Sequence, residues 1–179
     1  ADTMADTLAE ALLAAAADGQ GGFHPVVMDA STCSLRMKKH LAGRLQLLDF
    51  HEFAHDALLP RLRIRRGAEP VALHVNCSTR RSASDEKLRA LLRACTEQVV
   101  EPKGVTCCGF GGDVGFTAPA LNAHALRHVP GQLPEGCCSG VSTNRTCEIG
   151  LTDRTGRPYR SIASLLEECS RPDAVDAAC

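Results

Sequence analysis

Aromatic side chains are nearly missing from this 179-residue chain, which has no Trp, one Tyr and five Phe. Proteins that hold bases or sugars by stacking need such rings, so a stacking platform is disfavoured. An excess of either charge is also lacking, since 20 Lys and Arg stand against 21 Asp and Glu. The densest basic run, Arg61-Leu62-Arg63-Ile64-Arg65-Arg66, is short and has no interleaved aromatics. It reads as a solvated loop or docking patch, and no nucleic-acid partner is expected. No apolar run approaches the roughly 20 residues of a spanning helix. Nor does a basic segment followed by an apolar core stand at the start. The expectation is therefore no membrane span, no secretory signal and a cytoplasmic location.

What the chain does have is an ordinary globular composition, 44% hydrophobic, on a length that supports one well-buried domain. It also has ten cysteines, a share below the roughly 8–10% of disulfide scaffolds. Without a secretory signal, reduced thiols are expected, some of them as ligands. The densest chemistry lies in Thr106-Cys107-Cys108-Gly109-Phe110-Gly111-Gly112-Asp113-Val114-Gly115-Phe116, where two adjacent thiols run into four glycines. Adjacent cysteines do not easily bond to each other, and glycine lets backbone approach something bulky or charged. Twenty-nine residues separate Cys77 from this pair, and 38 separate the pair from Cys147. Three segments would then converge on a metal or cluster, held by Cys77, Cys107, Cys108 and Cys147 with Gly109 and Gly111 beside them. Four thiolates suit Zn²⁺ or an iron-sulfur cluster equally, and spacing does not choose between them.

The pattern alternates helices and strands. An Ala- and Leu-rich helix is expected over 2–17, a buried strand over 25–29, a basic turn at 36–40 and a short strand over 45–49. An amphipathic helix follows over 50–62, a strong strand over 71–75, a helix over 84–98, and short extended pieces at 99–100 and 104–106. Residues 119–128 read as helix, 130–140 as an irregular loop containing Cys137 and Cys138, 141–142 as a strand entering Cys147, and 161–169 as the last helix. A mobile tail runs over 171–179. This order predicts an α/β layered fold with a mostly parallel sheet and ligands beyond the strand C-termini.

An internal repeat is also legible. Helix, loop, strand and a Thr-Cys pair lead to Cys33 (Ser31-Thr32-Cys33), and the same order leads to Cys147 (Arg145-Thr146-Cys147), at an offset of 114 residues. Shifted by that offset, Cys77, Cys107 and Cys108 would fall at −37, −7 and −6, ahead of Ala1. The expectation is one cysteine-rich domain over 1–170. Its residues 1–66 would end a truncated first pseudo-repeat, and 71–170 would form the second.

These residues resemble the CCG cysteine-rich domain, found in duplicate in the cysteine-rich subunit of heterodisulfide reductase and in related iron-sulfur oxidoreductases. The stretches His74-Val75-Asn76-Cys77-Ser78-Thr79, Cys107 through Phe116, Ser142 through Leu151 and Pro158-Tyr159-Arg160-Ser161-Ile162 are similar to the C-terminal part of FAD-linked, iron-sulfur D-lactate dehydrogenases. The resemblance implies a 4Fe-4S-type cluster on Cys77, Cys107, Cys108 and Cys147, with zinc as the alternative. It implies an electron-transfer module between a reduced flavin and an acceptor. The flavin domain would belong to the same full-length protein, and FAD only to that part. The acceptor would be quinone-linked or another redox protein, which allows peripheral contact at the inner membrane. The chain has no flavin part and no C-x-x-C-x-x-C run of a ferredoxin segment, so on its own it would not oxidise a hydroxy acid. The family motif ends in Cys-x-x-Cys, whereas Asn144 stands at the first of those positions here, and Ala30 at its counterpart before Cys33. A fifth thiolate would have to come from Cys137 or Cys138. The alternative from another class is a structural or docking domain whose cysteine site holds zinc or stays empty.

Other motifs weigh less. His51-Glu52-Phe53-Ala54-His55 is a literal H-E-x-x-H, but no helical third ligand follows and Pro60 ends the helix early; the stretch also matches the Glu-Phe-x-His-Asp run of the dehydrogenase resemblance. Val114 stands where a dinucleotide loop needs its third glycine. A cysteine nucleophile with His74 would need a lowered thiol pKa and hydrogen-bond reach. His74 and Arg145 could support the ligands from behind or serve only as surface contacts. Cys33 could complete a cluster in a longer protein, though a small packing role suits it better, as it does Cys95, Cys169 and Cys179.

Overall fold

The computed structural model describes residues 2–171. The expected tail over 171–179, Cys179 included, lies outside the described residues beyond Arg171. The chain forms an α/β layered structure with two all-parallel sheets.

The first unit opens with α1 (Asp2–Ala16), whose Ala5, Ala9 and Ala16 are buried. β1 (Val26–Met28), α2 (Ser31–Leu41) and β2 (Leu47–Asp49) follow. The expected basic turn at 36–40 is instead the last turn of α2. Ser34, Met37 and Leu41 recur at helical spacing on its buried side, and Lys38, Lys39 and His40 sit where the helix C-terminus favours positive charge. β1 and β2 pair in parallel over a small core of α1, α2 and β2 side chains. The expected helix over 50–62 is broken into α3 (Phe50–Phe53), a widened turn at Ala54–Leu58 and a tight turn at Leu59–Arg61. Pro60 in that tight turn lacks the amide that would extend a regular helix.

The second unit holds the larger sheet, in the order β4 (Val99–Val100), β3 (Val71–Leu73), β5 (Ser139–Ser142) and β6 (Tyr159–Ser161). Side chains alternate across it as strand geometry requires. Val71, Leu73 and Val75 face Leu88, Leu91 and Leu92 of α5 (Asp85–Cys95) and Leu165 and Leu166 of α9 (Ile162–Ser170). Ala72 faces the opposite layer with Leu126, Leu151, Tyr159, Cys108 and Cys147. That layer is closed by α6 (Val114–Thr117), α7 (Pro119–Ala125) and α8 (Arg145–Thr155). Tyr159 crosses β5 at Gly140, where an added Cβ would lie 2.4 Å from the ring. The short α4 (Cys77–Arg81) leaves the end of β3. No helix among the described residues is long and apolar enough to cross a membrane.

Candidate metal centre

The expected ligands all lie past the carboxyl ends of parallel strands. Cys77 is the first residue of α4, capped by Asn76, whose Oδ1 accepts the Thr79 amide at 2.8 Å. The same Asn76 donates to Ser31 Oγ at 2.7 Å and Thr143 Oγ1 at 2.9 Å. One buried side chain thus fixes the run-ins of α2, α4 and α8 together, and Ser31 N donates to Thr143 O across the two units. Cys147 is the third residue of α8 and is 5% exposed.

Cys107 and Cys108 sit in the glycine loop. Gly109 has φ +71°, and a Cβ there would meet the Leu121 carbonyl oxygen at 2.6 Å, so only glycine fits. Its amide donates to Cys107 Sγ at 3.3 Å. Phe110 turns inward between Gly115 and Gly150, both of which a Cβ would drive into its ring. Asn122 on α7 donates to the Cys108 carbonyl at 2.7 Å and fixes the loop from below.

Cys108 Sγ lies 3.0 Å from Cys147 Sγ. The two sulfurs are within hydrogen-bond contact of each other. The Cys147 thiol, followed by the Phe110 and Gly111 amides, holds Cys108 down at about 6 against the opposing effect of burial. The Cys108 sulfur, with burial added, pushes Cys147 up. Burial raises Cys107, partly offset by the Gly109 amide, and Cys77 adds its field to both Cys107 and Cys147. Asn144, where the resemblance has a cysteine, turns its amide toward Cys147 Sγ at 3.7 Å and donates to Thr146 Oγ1 at 3.0 Å. The position supplies a donor to sulfur in place of a thiolate.

Among the described residues, no three His, Cys, Asp or Glu side chains are close enough to hold an ion as they stand. The donor set nevertheless fits a soft metal. Two thiols touch, two more stand within electrostatic reach, and backbone amides aim at the sulfurs. The remaining cysteines are elsewhere. Cys33 is exposed on α2; Cys137 is buried in the sheet layer with its thiol directed to Ser139 O, and Cys138 is disulfide-bonded. Cys169 directs its thiol to the Cys95 carbonyl in the opposite layer. A fifth thiolate from Cys137 or Cys138 therefore has no support.

The other motif residues separate. His51 is buried against Ser84 Oγ at 2.8 Å, whereas His55 pairs with its neighbour Asp56 at 2.8 Å, so the H-E-x-x-H histidines share no site. His74 bonds Ser142 Oγ at 3.1 Å, and burial, then the Arg80 charge, lowers it to about 4. Arg145 pairs with Glu148 at 3.0 Å. Among the described residues, neither makes a hydrogen bond to sulfur. Two contributors were missed from sequence: Asn76, readable only as an Asn before Cys-Ser-Thr at a helix start, and Asn122, which carried no signal at all.

Fold and site together describe an α/β cysteine-rich protein with a thiol centre at the strand ends. Compared with protein-family models and with curated proteins, the chain matches none.

Proposed function

We propose that the chain is the iron-sulfur electron-transfer module of a flavin-linked 2-hydroxy-acid dehydrogenase of the D-lactate type. Cys77, Cys107, Cys108 and Cys147 would hold a 4Fe-4S-type cluster, with Gly109 and Gly111 beside it. The observation that carries this reading is the Cys108–Cys147 contact at 3.0 Å, made by a glycine loop and a helix start from distant parts of the chain. When bound, the cluster takes up and passes on single electrons.

The chain's own residues bind and tune. Cys108 stands ready as a thiolate at neutral pH, as a ligand must. The Gly109, Phe110 and Gly111 amides donate to sulfur, which raises a cluster's reduction potential. Asn144 adds a weaker donor at Cys147. The buried layer of Phe110, Leu126 and Leu151 behind the thiols excludes water from that side. Electrons would arrive from the flavin domain of the full-length protein and leave to a quinone-linked or other redox acceptor, from the cytoplasmic side and with at most peripheral contact at the inner membrane. The module would not turn over a substrate alone.

One observation favours a second reading. The thiols are not gathered around one point as they stand. A structural or docking domain with a zinc-bound or empty cysteine site accommodates that arrangement. Anaerobic reconstitution with iron and sulfide, with metal analysis and EPR, separates the two. A reducible signal lost in the Cys107→Ser/Cys108→Ser variant supports the redox module. Stoichiometric zinc without a bindable cluster refutes it.

A further inference from the structure

Two cysteines meet on the face of the sheet turned away from the thiol centre. Cys95 is the last residue of α5, and Cys169 lies in the last turn of α9. Both helices cover the same face of β3, where Cys95 belongs to the buried cluster with Leu91, Leu165 and Leu166 and Cys169 packs against it. The Cys169 thiol is directed to the Cys95 carbonyl at 3.6 Å, and the two sulfurs are in hydrogen-bond contact as well. One strap of chain holds them together. The Arg65 amide donates to the Cys169 carbonyl and the Gly67 amide to the Cys95 carbonyl, each at 2.9 Å, while Leu62 and Ile64 pack on the same cluster.

The two thiols are unequal. Cys95 is 1% exposed, whereas Cys169 is half-buried, so a reagent in water meets Cys169 first. When Cys169 loses its proton, the Cys95 thiol can donate to the sulfur left behind. That hydrogen bond, with help from the Arg160 charge, holds Cys169 below the ordinary thiol range against the effect of burial. The same contact, with burial added, pushes Cys95 up. A nucleophilic sulfur near the surface with a second thiol behind it is the arrangement that thiol–disulfide exchange uses.

We propose that Cys95 and Cys169 are a dithiol–disulfide site, separate from the thiol centre and closed by exchange with a low-molecular-weight disulfide. The Cys169 thiolate attacks one sulfur of the small disulfide, whose S–S bond breaks, and the first small thiolate leaves and takes up the proton that Cys169 released. Cys95 then gives up its proton and attacks Cys169 Sγ, and the second small thiolate leaves with that proton. Two protein thiols are oxidised to one disulfide, and one small disulfide is reduced to two small thiols. The bond joins residues 74 apart in sequence and encloses β5, the glycine loop and α8, so it restricts the unfolded chain and latches the second unit. The site does not depend on what the thiol centre holds, because Cys108 and Cys147 lie in the opposite layer.

The test incubates the chain with oxidised glutathione, blocks the remaining thiols by alkylation and maps the disulfides by mass spectrometry. A Cys95–Cys169 link is expected in the folded chain and should open again in reduced glutathione. In Cys95→Ala, glutathione should stay on Cys169, and in Cys169→Ala, Cys95 should be modified about tenfold or more slowly, since exposure governs the first exchange. Reduction should lower the urea midpoint of the treated parent chain by more than that of treated Cys169→Ala. A folded chain that takes glutathione on the exposed Cys33 yet forms no Cys95–Cys169 link overturns the proposal. So does a link that forms only in denaturant. Both of these outcomes are measured on the unaltered chain, so neither depends on how a variant folds.

Discussion

Asn122 donates to the carbonyl of Cys108 at 2.7 Å, which ties the thiol loop to α7 from beneath. Asn122 is 5% exposed, so its removal leaves a buried carbonyl without its partner. Asn122→Ala is expected to cost about 1–3 kcal/mol in chemical denaturation. It should also weaken metal uptake, because the loop that orients Cys108 loses its anchor. Unchanged stability in this variant would mean that the loop is held by its glycine turns alone.

Contact with Cys147 is the chief cause that holds the Cys108 thiol well below the usual cysteine range. Ultraviolet thiolate absorbance, taken as the difference between the chain and its Cys108→Ser variant, should titrate near pH 6. Cys147→Ala removes the largest cause of that depression, so the midpoint should rise. A midpoint that does not move would assign the effect to the loop amides.

His74 makes stability depend on pH in a predictable direction. It is held at about 4 in the fold against an ordinary 6.5, chiefly by burial. Between those values the unfolded chain takes up a proton that the folded chain refuses. Stability from this residue is therefore fully present above the ordinary value and is lost as pH falls toward 4, by about 3 kcal/mol across the window. Denaturation midpoints across this range should slope accordingly, and His74→Gln should flatten the slope.

Gly140 and Tyr159 form a packed pair whose two halves respond differently. Gly140→Ala places a Cβ 2.4 Å from the ring and should destabilise by about 1–3 kcal/mol or more. Tyr159→Phe should be close to neutral, because its buried hydroxyl finds no hydrogen-bond partner among the described residues. Thermal unfolding of the two variants checks both.

Val71, Leu73 and Val75 alternate with Ala72 and made β3 unmistakable, because a strand buried on both faces is a continuous apolar run. The repeat was legible because Thr-Cys stands in the first turn of a helix in each half, Thr32-Cys33 in α2 and Thr146-Cys147 in α8. α2 was hidden: its Lys38-Lys39-His40 end looks like a charged turn unless Ser34, Met37 and Leu41 are set on one face. Cys77, Cys107, Cys108 and Cys147 could be nominated by type and spacing. That Cys108 and Cys147 touch could not, since contact depends on Asn76 and Asn122, polar residues with no periodicity to expose them. The H-E-x-x-H run misleads for a related reason. It records spacing, whereas the widened turn from Ala54 leaves His51 inside and His55 outside.

Asn144 offers the sharpest test of where a metal would bind. Its side-chain amide lies 3.7 Å from Cys147 Sγ, and Cys147 Sγ lies 3.0 Å from Cys108 Sγ. Asn144→Cys therefore sets a third thiol beside a pair already in contact, at the extended residue that precedes α8. If the thiol centre is the metal site, zinc affinity of the variant, measured against a competing chelator, should rise by about tenfold or more, and iron incorporation on reconstitution should rise with it. The variant also loses the amide donor to sulfur, so its cluster should have a lower reduction potential than that of the parent chain. Equal affinity in the two proteins would place the metal away from Cys108 and Cys147 and leave that pair a buried thiol contact that only shapes the fold.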